Sequence, residues 1–263
     1  MNDWRTYDDV AETYERVHAL RFGEVARDLL DLLALPADAR VLDVGTGTGV
    51  AAQAAADAGH AVVGADESPG MLAVGHRVRP GLPLVAATAI DLPFPQGSFD
   101  AVVGTFVLAH FTKVETALFD LMRVLRPGGR LAFSSWADGV DEYQIAWHEQ
   151  VEAVVPREML APAYAEAAPG HDRFRNRDAV EEALLKAGLR HVRTEVVKYR
   201  WTYTLEDYLD GLGVWATGRF VRDMLGEEGW MSFMARARAA FADRFADPLN
   251  DFREVVLAVA TKP

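Results

Sequence analysis

The stretch with the most chemical content is Val41-Leu42-Asp43-Val44-Gly45-Thr46-Gly47-Thr48-Gly49-Val50. Glycines at alternate positions let a backbone turn sharply and approach a ligand closely, and a helix starting beyond them offers unsatisfied N–H groups. A nucleotide-like cofactor suits such a turn. The spacing G-x-G-x-G departs from the G-x-G-x-x-G of dinucleotide binders, and Asp43 at the strand end would repel a pyrophosphate. Both departures favour a cofactor that carries positive charge; the bland alternative is a glycine-rich turn with no ligand. A second apolar run ends in Val63-Gly64-Ala65-Asp66. An acid at that point is placed to accept hydrogen bonds from two ribose hydroxyls, or else to cap the helix beginning near Pro69. His110 follows the fourth apolar run, where a general base would meet a reacting group. A buried, hydrogen-bonded structural histidine is an equal reading, and His18 and His148 are weaker competitors for the same role.

These residues need a scaffold. Segment 40–44 reads as a strand, 50–58 as an Ala-rich helix and 61–65 as a second strand, which makes a βαβ unit. Short apolar runs at 83–86, 99–105 and 130–134 alternate with helical patterns at 70–79 and 114–125. Five strands alternating with helices argue for a mostly parallel sheet covered on both faces. Ahead of it, 8–33 spaces its apolar residues as one or two amphipathic helices, stopped by Pro36. After Trp136 the expected order is a helix over 140–155, a Pro/Ala-rich connection without regular structure over 156–172, and a helix over 178–187 capped by Gly188. A sixth strand over 191–199, a long helical stretch over 204–245 and a final strand over 252–261 follow. The chain is expected to divide into a helical cover (1–35), an α/β core (36–137) and the rest of the sheet with lid insertions at 138–172 and 203–247, all in one compact domain.

Composition narrows the chemistry. The 263 residues contain 27 Lys plus Arg against 39 Asp plus Glu, a net charge of -12 that would repel a nucleic acid backbone or an anionic membrane. The absence of cysteine excludes disulfides, Cys-based metal or iron–sulfur sites and a thiolate nucleophile, and no metal is expected. The N-terminal residues are acidic and polar where a signal peptide is basic and then apolar, and no run approaches the ~18 apolar residues of a membrane span. The expectation is a cytoplasmic protein.

Several linked motifs then resemble one family. They are Tyr7-Asp8-x-x-Ala11-x-x-Tyr14, the glycine turn, Asp66-Glu67-Ser68-Pro69-Gly70-Met71-Leu72, Leu92-Pro93-Phe94 with Ser98-Phe99-Asp100, Leu108-Ala109-His110-Phe111, and Leu125-Arg126-Pro127-Gly128-Gly129. In this order and spacing the chain resembles the class I methyltransferases dependent on S-adenosylmethionine (SAM), in particular the ubiquinone/menaquinone-type and small-molecule members. The resemblance implies a Rossmann-like seven-stranded sheet with the last strand antiparallel, helices on both faces and a helical lid. It implies SAM as cofactor, S-adenosylhomocysteine as product, and a cofactor set of Tyr14, Asp43, Gly45, Thr46, Gly47, Asp66, Glu67, Met71, Thr88, Ala89 and Thr105, with His110 as the catalytic candidate. Gly45, Thr46 and Gly47 would line the methionine end, Asp66 the ribose, and Glu67 and Met71 the ribose and adenine. Thr88 stands where the family often has an Asp, so its hydroxyl would accept the adenine amino group without charge assistance. Tyr7, Tyr14 and Arg21 could close over the cofactor, the tyrosines against the sulfonium and the arginine on the carboxylate; equally, they could simply pack a helix on the sheet.

The later segments carry Tyr143, Trp147, Trp201, Trp215, Phe220, Met224, Trp230, Phe233 and Met234, a lid composition that suits an apolar or aromatic acceptor. Plain helix packing explains most of them as well. Nucleic-acid amino methyltransferases of this fold carry an Asn- or Asp-Pro-Pro-aromatic motif after strand four; here Gly104-Thr105-Phe106-Val107 stands there. The reading is methyl transfer to a small molecule by a monomer or homodimer. Its rivals are a SAM-binding protein that does not methylate, such as a cyclase or a regulatory protein, and a dinucleotide-dependent oxidoreductase.

Overall fold

In a computed structural model, which describes Asp3 and residues 5–263, Val41 and Leu42 have no exposed surface because their strand is covered on both faces. That strand, β1 (Arg40–Val44), is followed by β2 (Ala61–Asp66), β3 (Leu84–Ala86), β4 (Phe99–Thr105), β5 (Leu125–Trp136), β6 (Arg190–Tyr203) and β7 (Leu249–Thr261). They form one seven-stranded sheet in the order β3-β2-β1-β4-β5-β7-β6. The first five run parallel, and β7 is antiparallel to both of its neighbours. This is the expected Rossmann-like sheet with its last strand reversed.

The N-terminal run comprises α1 (Ala11–Tyr14), a π-helical turn (Glu15–Ala19) and α2 (Leu20–Leu33), which ends at Ala34 in a left-handed conformation. The core helices are α3 (Val50–Asp57), α4 (Pro69–Val78) and α5 (Val114–Val124); then come α6 (Glu142–Glu152), α7 (Arg157–Ala167), α8 (His171–Phe174), α9 (Arg177–Lys186), α10 (Leu205–Val214) and α11 (Ala216–Arg244). Side chains of α2, α3, α10 and α11 pack on one face of the sheet, and those of α5 and α9 on the other.

Three departures from the sequence reading matter. The connection expected to be irregular over 156–172 contains α7, with Pro162 inside it. A proline removes one backbone bond, and the buried face of Ala163 and Ala167 holds the helix regardless. The long helical stretch is broken at Trp215 and bent at Gly226, whose φ of 67° is a conformation glycine adopts without strain. Finally, β6 and β7 are longer than expected. β5 stops pairing at Trp136↔Val255, whereas β6 and β7 pair on through Trp201↔Asp251 to Tyr203↔Leu249. A two-stranded ribbon therefore projects beyond the end of β5. Among the described residues no helix is long and apolar enough to cross a membrane.

Candidate active site

The glycine turn joins β1 to α3. Gly45, Gly47 and Gly49 have φ values of 64°, 56° and 94°, and a Cβ on Gly45 would lie 2.2 Å from Cγ2 of Val107. Conformation and space thus both demand glycine at position 45. The Thr46 hydroxyl turns back to donate to Oδ2 of Asp43 at 2.6 Å, and the Ala52 N–H donates to the same oxygen at 2.9 Å. Asp43 thereby ties the turn to the first turn of α3. Its other oxygen is buried without a partner, and burial raises the carboxyl to about 7. Gly45 and Gly47 line a cavity of about 1200 Å³. Asp43 and Thr46 lie behind the turn, so the acid that suggested a cationic ligand is placed to hold the loop rather than to face its occupant.

Asp66 ends β2 and does line the cavity. Its Oδ2 accepts the Gly47 N–H at 2.7 Å and its Oδ1 the Ser68 N–H at 2.9 Å. Burial raises this carboxyl too. The helix-cap reading of Asp66 does not hold, because Ser68 is the cap of α4, accepting from Met71 N–H at 3.2 Å. The Asp66 carboxylate, which can accept about four hydrogen bonds, keeps acceptor capacity for a ligand hydroxyl. Glu67, Met71, Thr88 and Ala89 line the same end of the cavity.

The N-terminal segment closes over this end through a residue to which sequence reasoning gave no role. Oδ1 of Asp8 accepts the Ser68 hydroxyl at 2.6 Å and the Gly70 N–H at 2.9 Å. A Cβ on Gly70 would lie 2.5 Å from the Asp8 backbone, so the segment lies flat on α4. Tyr7, Tyr14 and His18 line the cavity as a result. Tyr14 stands over the turn, its hydroxyl 3.9 Å from where a Cβ on Gly47 would be. Arg21 is placed elsewhere: it donates to the carbonyls of Val17 and Thr202 and stacks 3.7 Å over the Tyr203 ring. Arg219 takes the neighbouring position, 4.1 Å over the Tyr7 ring.

At the end of β4, Oγ1 of Thr105 is buried on the cavity wall without a partner. Phe106 follows with a φ of 57°, a strained value for a bulky residue, and its N–H donates to Ser134 Oγ at 3.0 Å. Its ring stacks on Trp136 at 4.1 Å. His110 also lines the cavity; its Nδ1 donates to the Ala167 carbonyl at 3.1 Å, which leaves Nε2 as the acceptor of a neutral ring. Burial lowers its pKa to about 4, not the near-neutral value its residue type suggested.

At the far end, among the lid aromatics named from sequence, Trp147, Trp201 and Trp215 line the cavity and the others do not. Trp136, which ends β5, stands nearly perpendicular to Trp201 and to Trp215, with ring centroids 6.1 and 6.0 Å away. The projecting ribbon adds Asp251 and Arg253 to this wall.

The turn with its glycine cradle, the Asp66 carboxylate and the unpartnered Thr105 hydroxyl fit a nucleoside cofactor such as SAM at one end. The whole cavity, at about 1200 Å³, exceeds the about 300–1,000 Å³ of a single ligand pocket, which leaves room beside such a cofactor.

Residues 42–133 match the methyltransferase domain family. The chain is 38% identical over 138 residues to a demethylmenaquinone methyltransferase of Paenarthrobacter aurescens, covering 51% of this chain and 54% of that one. It is 42% identical over 135 residues to the enzyme of that name from Beutenbergia cavernae, covering 50% and 56%. The chain thus spans about half the length of the curated relatives it matches. A phosphoethanolamine N-methyltransferase 2 from Haemonchus contortus, solved with phosphomonomethylethanolamine and S-adenosylhomocysteine, shares the fold with a TM-score of 0.61 at 18% identity, covering all (100%) of this chain and 61% of that one. Over residues 42–133 the chain thus resembles methyltransferase domains, and its first half is similar to that of demethylmenaquinone methyltransferases. The match to the family stops at Phe133, before the lid and the ribbon.

Proposed function

We propose that the protein binds SAM at the end of the cavity lined by Gly45, Gly47, Asp66 and Thr88 and transfers its methyl group to a small apolar or aromatic molecule at the other end. The carrying observation is the Asp66 carboxylate bound to Gly47 N–H at 2.7 Å, an anionic acceptor fixed at a glycine cradle. When bound, SAM supplies a methyl group already activated on a sulfonium. Asp66 and Glu67 accept from ribose hydroxyls, Thr88 and Met71 meet the adenine, and the Thr105 hydroxyl gains a partner. Tyr14 sets an aromatic face above the turn, where a cation is favoured. The Trp and Phe walls exclude water and align the acceptor, which is most of what transfer from an activated donor requires. Nε2 of His110 takes the proton from an acceptor that must lose one.

Calorimetry with SAM and NAD, followed by incubation with methyl-labelled SAM, tests this. SAM should bind and NAD should not. The label should pass to small acceptors, a panel that includes the demethylmenaquinone of the relatives' name, and not to RNA or DNA, which the -12 net charge disfavours. SAM binding with no label transferred to any acceptor would favour the non-methylating alternative.

A further inference from the structure

Residues 5–8 cross the cavity as a strap, from α4 at the cofactor end to α7 beside His110, and all four line it. One end is fixed on α4, where Oδ1 of Asp8 accepts from the Ser68 hydroxyl and the Gly70 N–H. The other end meets α7. Nε of Arg5 donates to Oε2 of Glu166 at 2.9 Å, and a terminal guanidinium nitrogen donates to the same oxygen. Between these attachments Arg219, buried at the start of α11, lays its guanidinium over the Tyr7 ring at 4.1 Å and donates to the Arg5 carbonyl at 3.3 Å. Tyr7 in turn stands nearly perpendicular to Tyr14 and to His110, with ring centroids 6.2 and 5.7 Å away.

The two ends differ in strength. At Asp8 one carboxylate oxygen takes two donors, and the backbone lies so close to α4 that Gly70 has no room for a side chain. The side chains of Arg5 and Glu166 are 46% and 52% exposed, so water competes for both partners and their pair shifts a closing equilibrium by a few-fold at most. A strap held firmly at one end and weakly at the other opens at the weak end. Glu166 also precedes Ala167, whose carbonyl accepts from Nδ1 of His110 at 3.1 Å. The end of α7 thus carries both the attachment of the strap and the acceptor that orients the candidate base.

We propose that Arg5 and Glu166 are positioning residues: their ion pair latches the strap, so that Tyr7 closes over the cofactor beside His110, and its release, with Asp8 as the hinge, lets cofactor and product exchange. The inference deepens the methyl-transfer reading and rests on it, since the occupant under the strap is taken to be SAM or S-adenosylhomocysteine. Both residues act through Tyr7, for which Arg219 is the seat. A cover that must open in every turnover is served by an exposed, easily broken pair, because product release and lid opening set the pace of many enzymes.

The test is the dissociation rate of S-adenosylhomocysteine from the immobilised protein, read by surface plasmon resonance. Glu166→Arg sets two cations together and Arg5→Glu two acids, so each should speed dissociation about five- to tenfold, through loss of the pair and like-charge repulsion of similar size. The double variant Arg5→Glu/Glu166→Arg restores an opposite pair and should return the rate to within about twofold of wild type. Melting temperatures should agree within ~2 °C throughout, since an exposed pair adds little to global stability. Unchanged rates in both single variants, or a double variant as fast as the single ones, would overturn the proposal. A wild-type protein that fails to bind S-adenosylhomocysteine would instead count against the methyl-transfer reading. The latch is then read on the unloaded protein by trypsin cleavage after Arg5, followed by mass spectrometry: Glu166→Arg should be cut there about fivefold faster than wild type, and equal rates would overturn it.

Discussion

Asp66 ends β2 and Gly47 lies in the turn after β1, yet a carboxylate oxygen of one accepts the backbone N–H of the other at 2.7 Å, and the second oxygen holds Ser68 N–H at 2.9 Å. The acid that would hold the ribose is therefore also the clasp between the two loops. Asp66→Ala should lower S-adenosylhomocysteine affinity by at least about tenfold, since each charge-assisted bond is worth roughly 1.5–3 kcal/mol. Because two backbone donors lose their acceptor as well, the melting temperature should fall in the same variant. Calorimetry and a thermal melt read the two effects; unchanged affinity would remove Asp66 from the cofactor site.

The three turn glycines are not equivalent. Gly45→Ala meets both a φ of 64° and Val107 at 2.2 Å, so its product should be destabilised by more than the ~1–2 kcal/mol of left-handed strain alone. Gly47→Ala has a φ of 56° but nothing within 3.8 Å, so its stability loss should stay near that strain. Gly47→Val should abolish SAM binding while circular dichroism stays native. Retained binding would make the turn purely structural.

His110 gives a pH test. If Nε2 takes a proton during transfer, His110→Ala should reduce turnover by about 10²–10⁴ with little change in SAM affinity. Because burial lowers its pKa to about 4, the base form persists at neutral pH and activity should fall only as the pH drops towards that value. A variant within a few-fold of wild type, measured alongside its melting temperature, would make His110 a wall of the cavity.

His18 links acid to stability. It is buried, its Nε2 lies 3.2 Å from the Gly211 carbonyl and its ring stacks on Phe22, while burial lowers its pKa to about 3. A histidine free in the unfolded chain titrates near ~6.5, so below that pH the unfolded state binds the extra proton. Stability from this group is full above about pH 6.5 and is lost as pH falls, by up to ~1.4 kcal/mol per pH unit. Asp43, raised to about 7, acts in the opposite sense, losing stability as pH rises through that value. Denaturant midpoints from about pH 7 to 4 should therefore show a shallower acid decline in His18→Phe than in wild type. Parallel declines would exclude His18 as a source.

The sheet and the turn were legible because their causes are local. Buried parallel strands read as apolar runs, and left-handed backbone between strand and helix reads as glycine. Asp66 was ambiguous in the sequence, and Ser68 at the cap position resolves it. Which tryptophans face a cavity could not be read from composition. Trp201 and Trp215 line it, while Trp230 stacks on Phe233 at 5.4 Å away from it, although all lie in similarly aromatic segments. The place of Asp251 and Arg253 on the far wall was invisible for a different reason: only the register of β6 on β7 carries the ribbon beyond β5. Its one local signal was an acid and a base at alternate positions of a buried strand. Asp8 stood in a motif, but its partners Ser68 and Gly70 are distant in sequence.

The projecting β6/β7 ribbon gives the molecule a division of labour along its chain. The wall expected to hold the cofactor is built from the ends of β1, β2 and β4, and the opposite wall largely from segments that begin after Phe133. Substitutions on the ribbon or in α6 fall on the far end of the cavity, away from the glycine turn. Phe106 is where the two meet, its strained backbone following Thr105 and its ring lying on Trp136. A change of acceptor by exchange of the second half would thus have to keep the stack of Phe106 on Trp136, together with the contacts of Arg21 with Thr202 and Tyr203 and of His18 with Gly211 that also join the halves.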